Sequence, residues 1–315
     1  MSKKKTPVVI QSQNLDANES VFFARELEHI KATVVETAYQ ELMARQLIPV
    51  SMEADPADET ITYRMMDRTG VAKVVTDYAK DFPRVDLLGQ EFTGKIRSLG
   101  SAYGYNIQEV RAAAKTGKPL SARLAMAAKE AILTAEDKLA LFGDVKYGLQ
   151  GFLNHPNLPE QVIPADGTGA SKTWTTKSVD QVLRDLNLAV NTIVANTLGV
   201  EKPDTVLLPI SQYTDIATRR VGTDSNMTIL RFFLETNPFI KSVVMLPDLD
   251  GAGAGGTDRM IVYRRDPSKL TLEIPQDFEQ FPPQEEGLEF IIHCHSRCGG
   301  VLFYKPMSAC YADGI

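Results

Sequence analysis

The sequence predicts an α+β fold, in which helices and strands share one chain without regular alternation. Three observations indicate this. A long segment around residue 130 has helical periodicity, residues 60–67 alternate in the two-residue period of a strand, and residues 270–311 are rich in strand-forming side chains. Because no strand-helix-strand pattern repeats along the chain, a doubly wound parallel sheet is not expected.

The composition is that of a folded globular protein. The 315 residues are 43% hydrophobic and 23% charged, and the formal net charge is -6. No apolar run reaches the 18 residues that a membrane-spanning helix needs. The amino terminus lacks the apolar core of a secretion signal, so we expect the protein to stay in the compartment where it is made.

A protein that grips DNA along its surface normally carries a stripe of basic residues. Here the only basic cluster is Lys3, Lys4 and Lys5 at the amino terminus. We interpret it as a solvated tail, with a weak electrostatic contact to nucleic acid as the alternative. The sequence therefore predicts no sequence-specific DNA-binding surface.

The first third of the chain predicts an arm, a helix and a hairpin. Residues 1–18 lack periodicity, and residues 19–46 fit an amphipathic helix that ends before Pro49. Two strands, 60–67 and 71–78, are predicted to pair through a turn at Arg68-Thr69-Gly70. Because polar sequence flanks this hairpin, we expect it to project from the body, although it could instead fold onto its own core. If the hairpin projects, its three cations would contact acidic neighbours. These cations are Arg64, Arg68 and Lys73.

Two helices follow the hairpin. Asn106 and Glu109 predict the start of a short helix, and a longer one is predicted from Pro119 to Phe142, ended by Gly143. Small side chains dominate one predicted face of the long helix and allow close packing: Leu124, Ala128, Ala131, Ala135 and Leu139. Glu136 and Asp137 lie near its carboxyl end, where they oppose the helix dipole. We expect both to have cationic partners, either within the chain or across an interface.

The second half of the chain mixes helices and strands after a boundary in the polar stretch 156–172. Ser178 and Gln181 form a predicted capping box that opens a helix ending before Gly199. The remaining predicted elements are a strand at 205–208, helices at 211–220 and 227–235, strands at 242–246 and 260–264, and a strand-rich segment at 270–311.

The glycine-rich loop at 251–256 suggests a phosphate cradle, but a cradle requires a helix after the glycines, and here a strand is predicted to follow. We therefore interpret the loop as a flexible hairpin loop, or as one that sits on a crowded symmetry axis. The glycines concerned are Gly251, Gly253, Gly255 and Gly256.

The segment from His293 to Cys298 resembles a metal site. Strand alternation, however, directs His293 and His295 to one face and Cys294 to the other, so the ligands diverge. We expect the cysteines, with Cys310, to pack as small hydrophobic side chains, and whether the cluster binds metal stays open. No catalytic motif converges elsewhere, so the sequence predicts no enzyme, no cofactor and no disulfide framework.

The order of the parts resembles that of tailed-phage major capsid proteins, whose fold encapsulins share. The similarity is strongest in the long helix and the loop after it, and in the carboxyl-terminal segment. The segments that carry it are Ala127-Ala128-Lys129-Glu130-Ala131, Ala135-Glu136-Asp137, Leu141-Phe142-Gly143, Gly148-Leu149-Gln150-Gly151-Phe152-Leu153-Asn154, Gly299-Gly300-Val301, Lys305-Pro306 and Tyr311-Ala312-Asp313-Gly314-Ile315.

This resemblance implies a domain organisation. It comprises an amino-terminal arm (1–18), an amino-terminal helix (19–49), an extended loop (50–88), a peripheral domain (89–171) with a spine helix (119–142), an axial domain (172–265) and returning strands (266–315). The extended loop would contact a neighbouring subunit through Tyr63, Arg64, Arg68 and Lys73. Some relatives cross-link a lysine of this loop, and Lys73 and Lys80 lie in the corresponding region, but the resemblance assigns the reactive position to neither, so whether cross-links form stays open.

The resemblance also implies a function. The chain would assemble with itself into hexamers and pentamers of an icosahedral virion shell, built in the host cytoplasm around double-stranded DNA. Portal, separate scaffolding and decoration proteins are the implied partners, with no membrane. The alternative is the shell of an encapsulin-like nanocompartment.

Overall fold

A computed structural model describes residues 40–70, 84–116, 120–222 and 226–315. The predicted arm, most of the amino-terminal helix and the second predicted hairpin strand, with Lys73 and Lys80, lie outside these ranges. The chain divides into two units, and the elements below belong to the unit Leu42–Ile315. Of the predicted amino-terminal helix, the described part is helical only from Ala44.

The elements confirm a mixed α+β architecture. The helices are α1 (Ala44–Leu47), α2 (Ile107–Thr116), α3 (Leu120–Phe142), α4 (Val179–Asn196), α5 (Ile210–Thr218) and α6 (Ile229–Thr236). The strands are β1 (Val50–Ser51), β2 (Thr60–Thr69), β3 (Asp86–Lys95), β4 (Arg97–Asn106), β5 (Gly143–Asp144), β6 (Leu149–Gln150), β7 (Glu160–Val162), β8 (Thr205–Leu208), β9 (Ser242–Met245), β10 (Arg259–Tyr263), β11 (Leu270–Glu273), β12 (Gln276–Gln280), β13 (Gln284–Glu286), β14 (Glu289–Cys298), β15 (Gly300–Phe303) and β16 (Ala309–Asp313).

A five-stranded mixed sheet, in the order β7-β16-β10-β8-β9, separates two hydrophobic cores. Alternate side chains of a strand point to opposite faces, so Ile261 joins one core and Val262 the other. The first core also contains Phe152, Tyr263 and Phe303, and the second lies under α4. Burial on both faces explains why β8 and β10 consist of buried residues throughout.

Helix α4 begins as the sequence predicts. The Ser178 hydroxyl accepts from the Gln181 N–H at 3.3 Å, and the Gln181 side chain accepts from the Ser178 N–H at 2.7 Å. The buried side of the helix faces the sheet through Val182, Leu186, Ala189, Val190 and Ile193. Gly199 follows its end with a φ of 81°, a backbone conformation that glycine adopts without strain.

The long helix α3 packs on a second sheet, in which β4 pairs with β14 along ten residues. Ala128 and Ile132 contact Ile292 and Cys294 in a third, smaller core. The predicted bounds of α3 are confirmed, but its predicted inner face is partly wrong. Ala131 is exposed, and Leu124, Ala135 and Leu139 are only half-buried, whereas the buried row is Ala128, Ile132, Glu136 and Ala140.

The predicted hairpin is wrong in its pairing. Strand β2 continues through the predicted turn to Thr69, and its partner is β3, with Thr60 opposite Lys95 and Thr69 opposite Asp86. The ribbon thus reaches past the predicted end of the extended loop at residue 88. The outer half of this ribbon is exposed on both faces, so its sequence lacks the apolar alternation that identifies a strand with one buried face.

The stretch 156–172, where a domain boundary is predicted, contributes a strand to the five-stranded sheet. Strand β7 lies within it and pairs with β16, and Ile163 is fully buried in the second core. Of the helices in the described ranges, none is long and apolar enough to cross a membrane.

Candidate functional site

The outer half of the β2–β3 ribbon exposes large apolar side chains. At about 3.3 Å per residue, ten residues carry the ribbon roughly 30 Å. Leu87 is 65% and Leu88 62% exposed, so residues on both faces lack cover. The other exposed apolar side chains here are Met65, Met66 and Val85. A two-stranded ribbon with this much exposed apolar surface indicates a partner surface.

The two faces of the ribbon differ in charge. Directly opposite residues of an antiparallel pair share a face, so Arg68 and Leu87 lie on one face and Asp67 and Leu88 on the other. We call the first the arginine face (Met66, Arg68 and Leu87) and the second the aspartate face (Met65, Asp67, Asp86 and Leu88). Arg64 also points to the arginine face, but it forms an ion pair with Glu91 at 2.8 Å. Arg68 has no ion pair with any residue in the described ranges.

The base of the ribbon is fixed to its own chain by Tyr63. Its hydroxyl donates to the Phe303 carbonyl at 3.1 Å, and its ring stacks on Phe92 and meets the edge of Tyr304, with centroids 5.3 Å and 4.9 Å apart. Tyr63, predicted as an intersubunit contact, therefore has partners within its own subunit, and Lys73 lies outside the described residues. Arg64 and Arg68 remain the described cations of the predicted contact set.

A cleft of about 300 Å³ lies beside this base, lined by residues that include Tyr63, Lys95 and His155. His155 is buried, and burial lowers the pKa of its imidazole to about 4. Nδ1 of His155 accepts the N–H of Asn157 at 3.3 Å, which requires that this nitrogen carry no proton. Protonation of Nδ1 would therefore place a positive charge in the core. It would also turn this nitrogen into a donor that faces the N–H donor of Asn157.

We expect the stability of the unit to fall as the pH decreases from about 6.5 to about 4 because of His155. The unfolded chain binds a proton on this residue near pH 6.5 and the folded chain only near pH 4, so acid favours unfolding across that window by on the order of 1–3 kcal/mol. Urea unfolding of wild type and His155→Gln at pH 7 and pH 4.5 measures the effect. Equal losses of stability in both proteins would contradict the assignment.

The carboxyl-terminal half of α3 is tied to α1 by its two acidic residues. Buried Glu136 receives both a 2.6 Å and a 2.8 Å bond from Arg45, and Arg45 also reaches Asp277 at 2.8 Å. Bonding to Glu136 raises the pKa of Arg45, which stays charged. The cationic partner predicted for Glu136 is thus Arg45.

Asp137 has no cationic partner among the described residues of its own chain, so a cation across an interface stays a prediction. Its carboxylate accepts the backbone N–H of Ala44 at 2.8 Å, because the first N–H groups of a helix have no partner within that helix. Burial raises the pKa of Asp137 despite this bond. Both acidic residues therefore connect α3 to α1.

The glycine-rich loop joins β9 to β10, but not as a hairpin loop, because β8 lies between these two strands. Asp258 accepts the N–H of Gly251 at 3.0 Å, and Asp313 accepts the N–H of Ala254 at 2.8 Å. Burial alone would raise the pKa of Asp313, but its bonds to Arg259 at 2.7 Å hold it below the usual value. Three of the four predicted glycines have positive φ, which explains the residue type: Gly251, Gly255 and Gly256.

The histidine and cysteine segment lies on β14 with the predicted alternation. Cys294 and Cys298 are buried, and His293 and His295 are on the other face, exposed and half-buried. Burial raises the pKa of Cys298 to about 11, so this thiol stays protonated. Across the ranges that the structure describes, no three His, Cys, Asp or Glu side chains are close enough to hold a metal ion.

Sequence reasoning missed two exposed surfaces. Leu87 and Leu88 are not among the predicted contact residues, although a Leu-Leu pair directly after polar sequence was the available signal. The turn between β13 and β14, which the sequence showed only as part of a strand-rich segment, exposes Leu288 beside Glu286 and Glu289. Both surfaces lack a cover in the described part of the unit.

Solved structures of a phage capsid, of a further phage and of a virus-like particle have a similar fold. The capsid of Myoviridae phage XM1 matches with a TM-score of 0.79 and 19% identity over 94% of this chain and 99% of that one. A Mycobacterium phage Ogopogo chain matches with a TM-score of 0.59 and 14% identity over 93% and 99%. A virus-like particle from Pyrococcus furiosus matches with a TM-score of 0.54 and 13% identity over 85% and 90%. The predicted capsid fold is therefore confirmed.

The sequence itself gives a family assignment. No curated protein matches it. A family model described as "Major capsid protein" matches residues 70–315, which is well over half of the chain. The chain therefore belongs to the major capsid protein family.

Proposed function

We propose that copies of this chain assemble into the closed shell of a tailed phage, with the β2–β3 ribbon lying over a neighbouring copy. The observation that carries the proposal is the exposure of Met66, Leu87 and Leu88 on a ribbon whose base is fixed by Tyr63. Burying such side chains is favourable by about 1–2 kcal/mol each at this exposure. Closed symmetry repeats one such contact in every copy, so modest interfaces sum to a stable shell.

The elements fit the domains of a shell subunit. The sheet of β4 and β14 with α3 would form the peripheral domain, with α3 as its spine helix, clamped by Arg45 through Glu136. The five-stranded sheet with α4 would form the axial domain. Its glycine-rich loop would then lie at a symmetry axis, where the absence of side chains at Gly255 and Gly256 lets copies approach.

We propose that the shell encloses double-stranded DNA without sequence-specific contacts. A net charge of -6 disfavours adhesion to phosphates and allows packed DNA to move against the wall. Portal, separate scaffolding and decoration proteins would be further partners, assembly would occur in the host cytoplasm, and no catalysis is proposed. The encapsulin-like nanocompartment has the weaker support of the Pyrococcus furiosus likeness, at a TM-score of 0.54 against 0.79 for phage XM1.

The ribbon test uses a triple variant, Met66→Ser, Leu87→Ser and Leu88→Ser. Because all three side chains are exposed, we expect the fold and its melting temperature to be retained. The loss of about 3 kcal/mol per contact should raise the concentration needed for assembly roughly 100-fold. Sedimentation velocity of wild type and variant at matched concentrations measures the distribution of monomers, capsomers and particles.

A matched control carries Val145→Ser, Leu198→Ser and Val200→Ser, which are exposed apolar residues outside the two ribbon strands. We expect this control to assemble like wild type. Assembly of the ribbon variant at the wild-type concentration would contradict the proposed role of the ribbon.

A further inference from the structure

We propose that the arginine face of the ribbon docks on the β13–β14 hairpin of a second copy, with Arg68 among its glutamates and Leu87 against Leu288. This inference rests on the proposed function, since it names the surface that receives the ribbon. The hairpin tip comprises Glu285, Glu286, Leu288 and Glu289, and we call it the acidic hairpin.

The acidic hairpin has an internal charge conflict. Glu286 lies directly opposite Glu289 in the ladder, and like charges in that position destabilise a strand pair. Neither these two carboxylates nor that of Glu285 has an ion pair with a residue in the described ranges. All three glutamates are exposed, so a cation brought by another molecule would relieve the repulsion.

The hairpin also offers an apolar contact. Leu288 is 69% exposed at the turn, where Gly287 has a φ of 66° and keeps the turn tight. The Leu288 carbonyl accepts the N–H of Ile107, which holds the base of the turn against the start of α2. An exposed leucine held in place between carboxylates is complementary to a surface that combines apolar side chains with a cation.

Of the two ribbon faces, only the arginine face has that combination. It presents Met66 and Leu87 beside Arg68, whose charge is not neutralised within the described part of its own chain. The aspartate face has similar apolar side chains, but Asp67 and Asp86 would repel the glutamates. Charge therefore decides which face meets the acidic hairpin, and the partner is a second copy of this chain.

Disulfide trapping tests the contact directly. Assembled particles of a Leu87→Cys and Leu288→Cys double variant should give a ladder of linked subunits on oxidation and non-reducing electrophoresis. The matched control is Leu88→Cys with Leu288→Cys, because Leu88 is adjacent and equally exposed but lies on the aspartate face. The native cysteines are buried and do not compete. Equal or stronger cross-linking of the control, or none in either variant, would overturn the inference.

Charge reversal gives a second readout that does not depend on cysteine. Arg68→Glu alone, and Glu286→Arg alone, should each raise the concentration needed for assembly about tenfold. The combination Arg68→Glu with Glu286→Arg should restore assembly toward wild type. If Arg68→Glu assembles normally, or the combination is no better than the single variants, the inference fails. If the wild type forms particles but the Leu87→Cys and Leu288→Cys variant gives no cross-link, only this contact is refuted, whereas a wild type that forms no particles refutes the proposed function.

Discussion

Replacing Asp185 with alanine should lower the free energy of unfolding by about 3 kcal/mol, because it leaves a buried ammonium without its main partner. Lys177 Nζ lies 2.6 Å from Asp185 Oδ2, and both side chains are fully buried. The remaining partners of Lys177 are the Pro164 carbonyl at 2.8 Å and Asp166 at 3.5 Å. These two retain part of the interaction, so the expected loss is at the lower end for a broken buried pair.

Urea unfolding followed by tryptophan fluorescence measures this loss. The single tryptophan of the sequence, Trp174, is buried near Lys177 and reports on the same region. The control is Lys177→Met with Asp185→Leu, which removes both charges and should recover most of the stability. An Asp185→Ala protein as stable as wild type would show that the buried pair contributes little.

Replacing Gly151 with alanine should cost about 3 kcal/mol, because its added methyl group has no space. The new Cβ would lie 2.3 Å from the Phe142 carbonyl carbon and 2.4 Å from the Gly143 nitrogen, which are backbone atoms that cannot rotate away. The close approach of Gly151 to the end of α3 lets the next two backbone N–H groups donate to carbonyls that have no partner within the helix. The N–H of Phe152 donates to Ala140 and that of Leu153 to Leu141, both at 2.8 Å.

Chemical unfolding of the unassembled chain measures the effect of Gly151→Ala. The matched control is Gly89→Ala on the ribbon, where a Cβ would meet nothing within 4 Å. This control should change the stability by no more than about 0.5 kcal/mol. Equal stability of the two variants would contradict the steric argument.

The sequence predicts well those elements whose ends are set by local chemistry. The capping box at Ser178 and the stop at Gly143 depend on residues next to each other in the chain, and the structure places both helix ends close to the predicted positions. The inner face of α3 is harder to predict because an acidic residue such as Glu136 is buried only when it is paired. Its burial depends on Arg45, which is 91 positions away in the sequence.

The candidate site was only partly predictable for a related reason. Arg64 and Arg68 were identified from their charge on the predicted hairpin, but the predicted pairing partner of its first strand was wrong. A ribbon exposed on both faces has no buried side to impose alternation, and β3 is interrupted by Gly89 and Gly94. Only the three-dimensional register separates Leu87 from Leu88 and reveals the two faces.

An electron cryomicroscopy reconstruction of particles formed by the purified chain tests the central claim most directly. We expect a closed shell in which the ribbon formed by residues 60–69 and 86–95 lies over the body of an adjacent copy. A chain that remains monomeric at every salt concentration, with or without a scaffold, would contradict the claim. So would a shell in which each ribbon contacts only its own subunit.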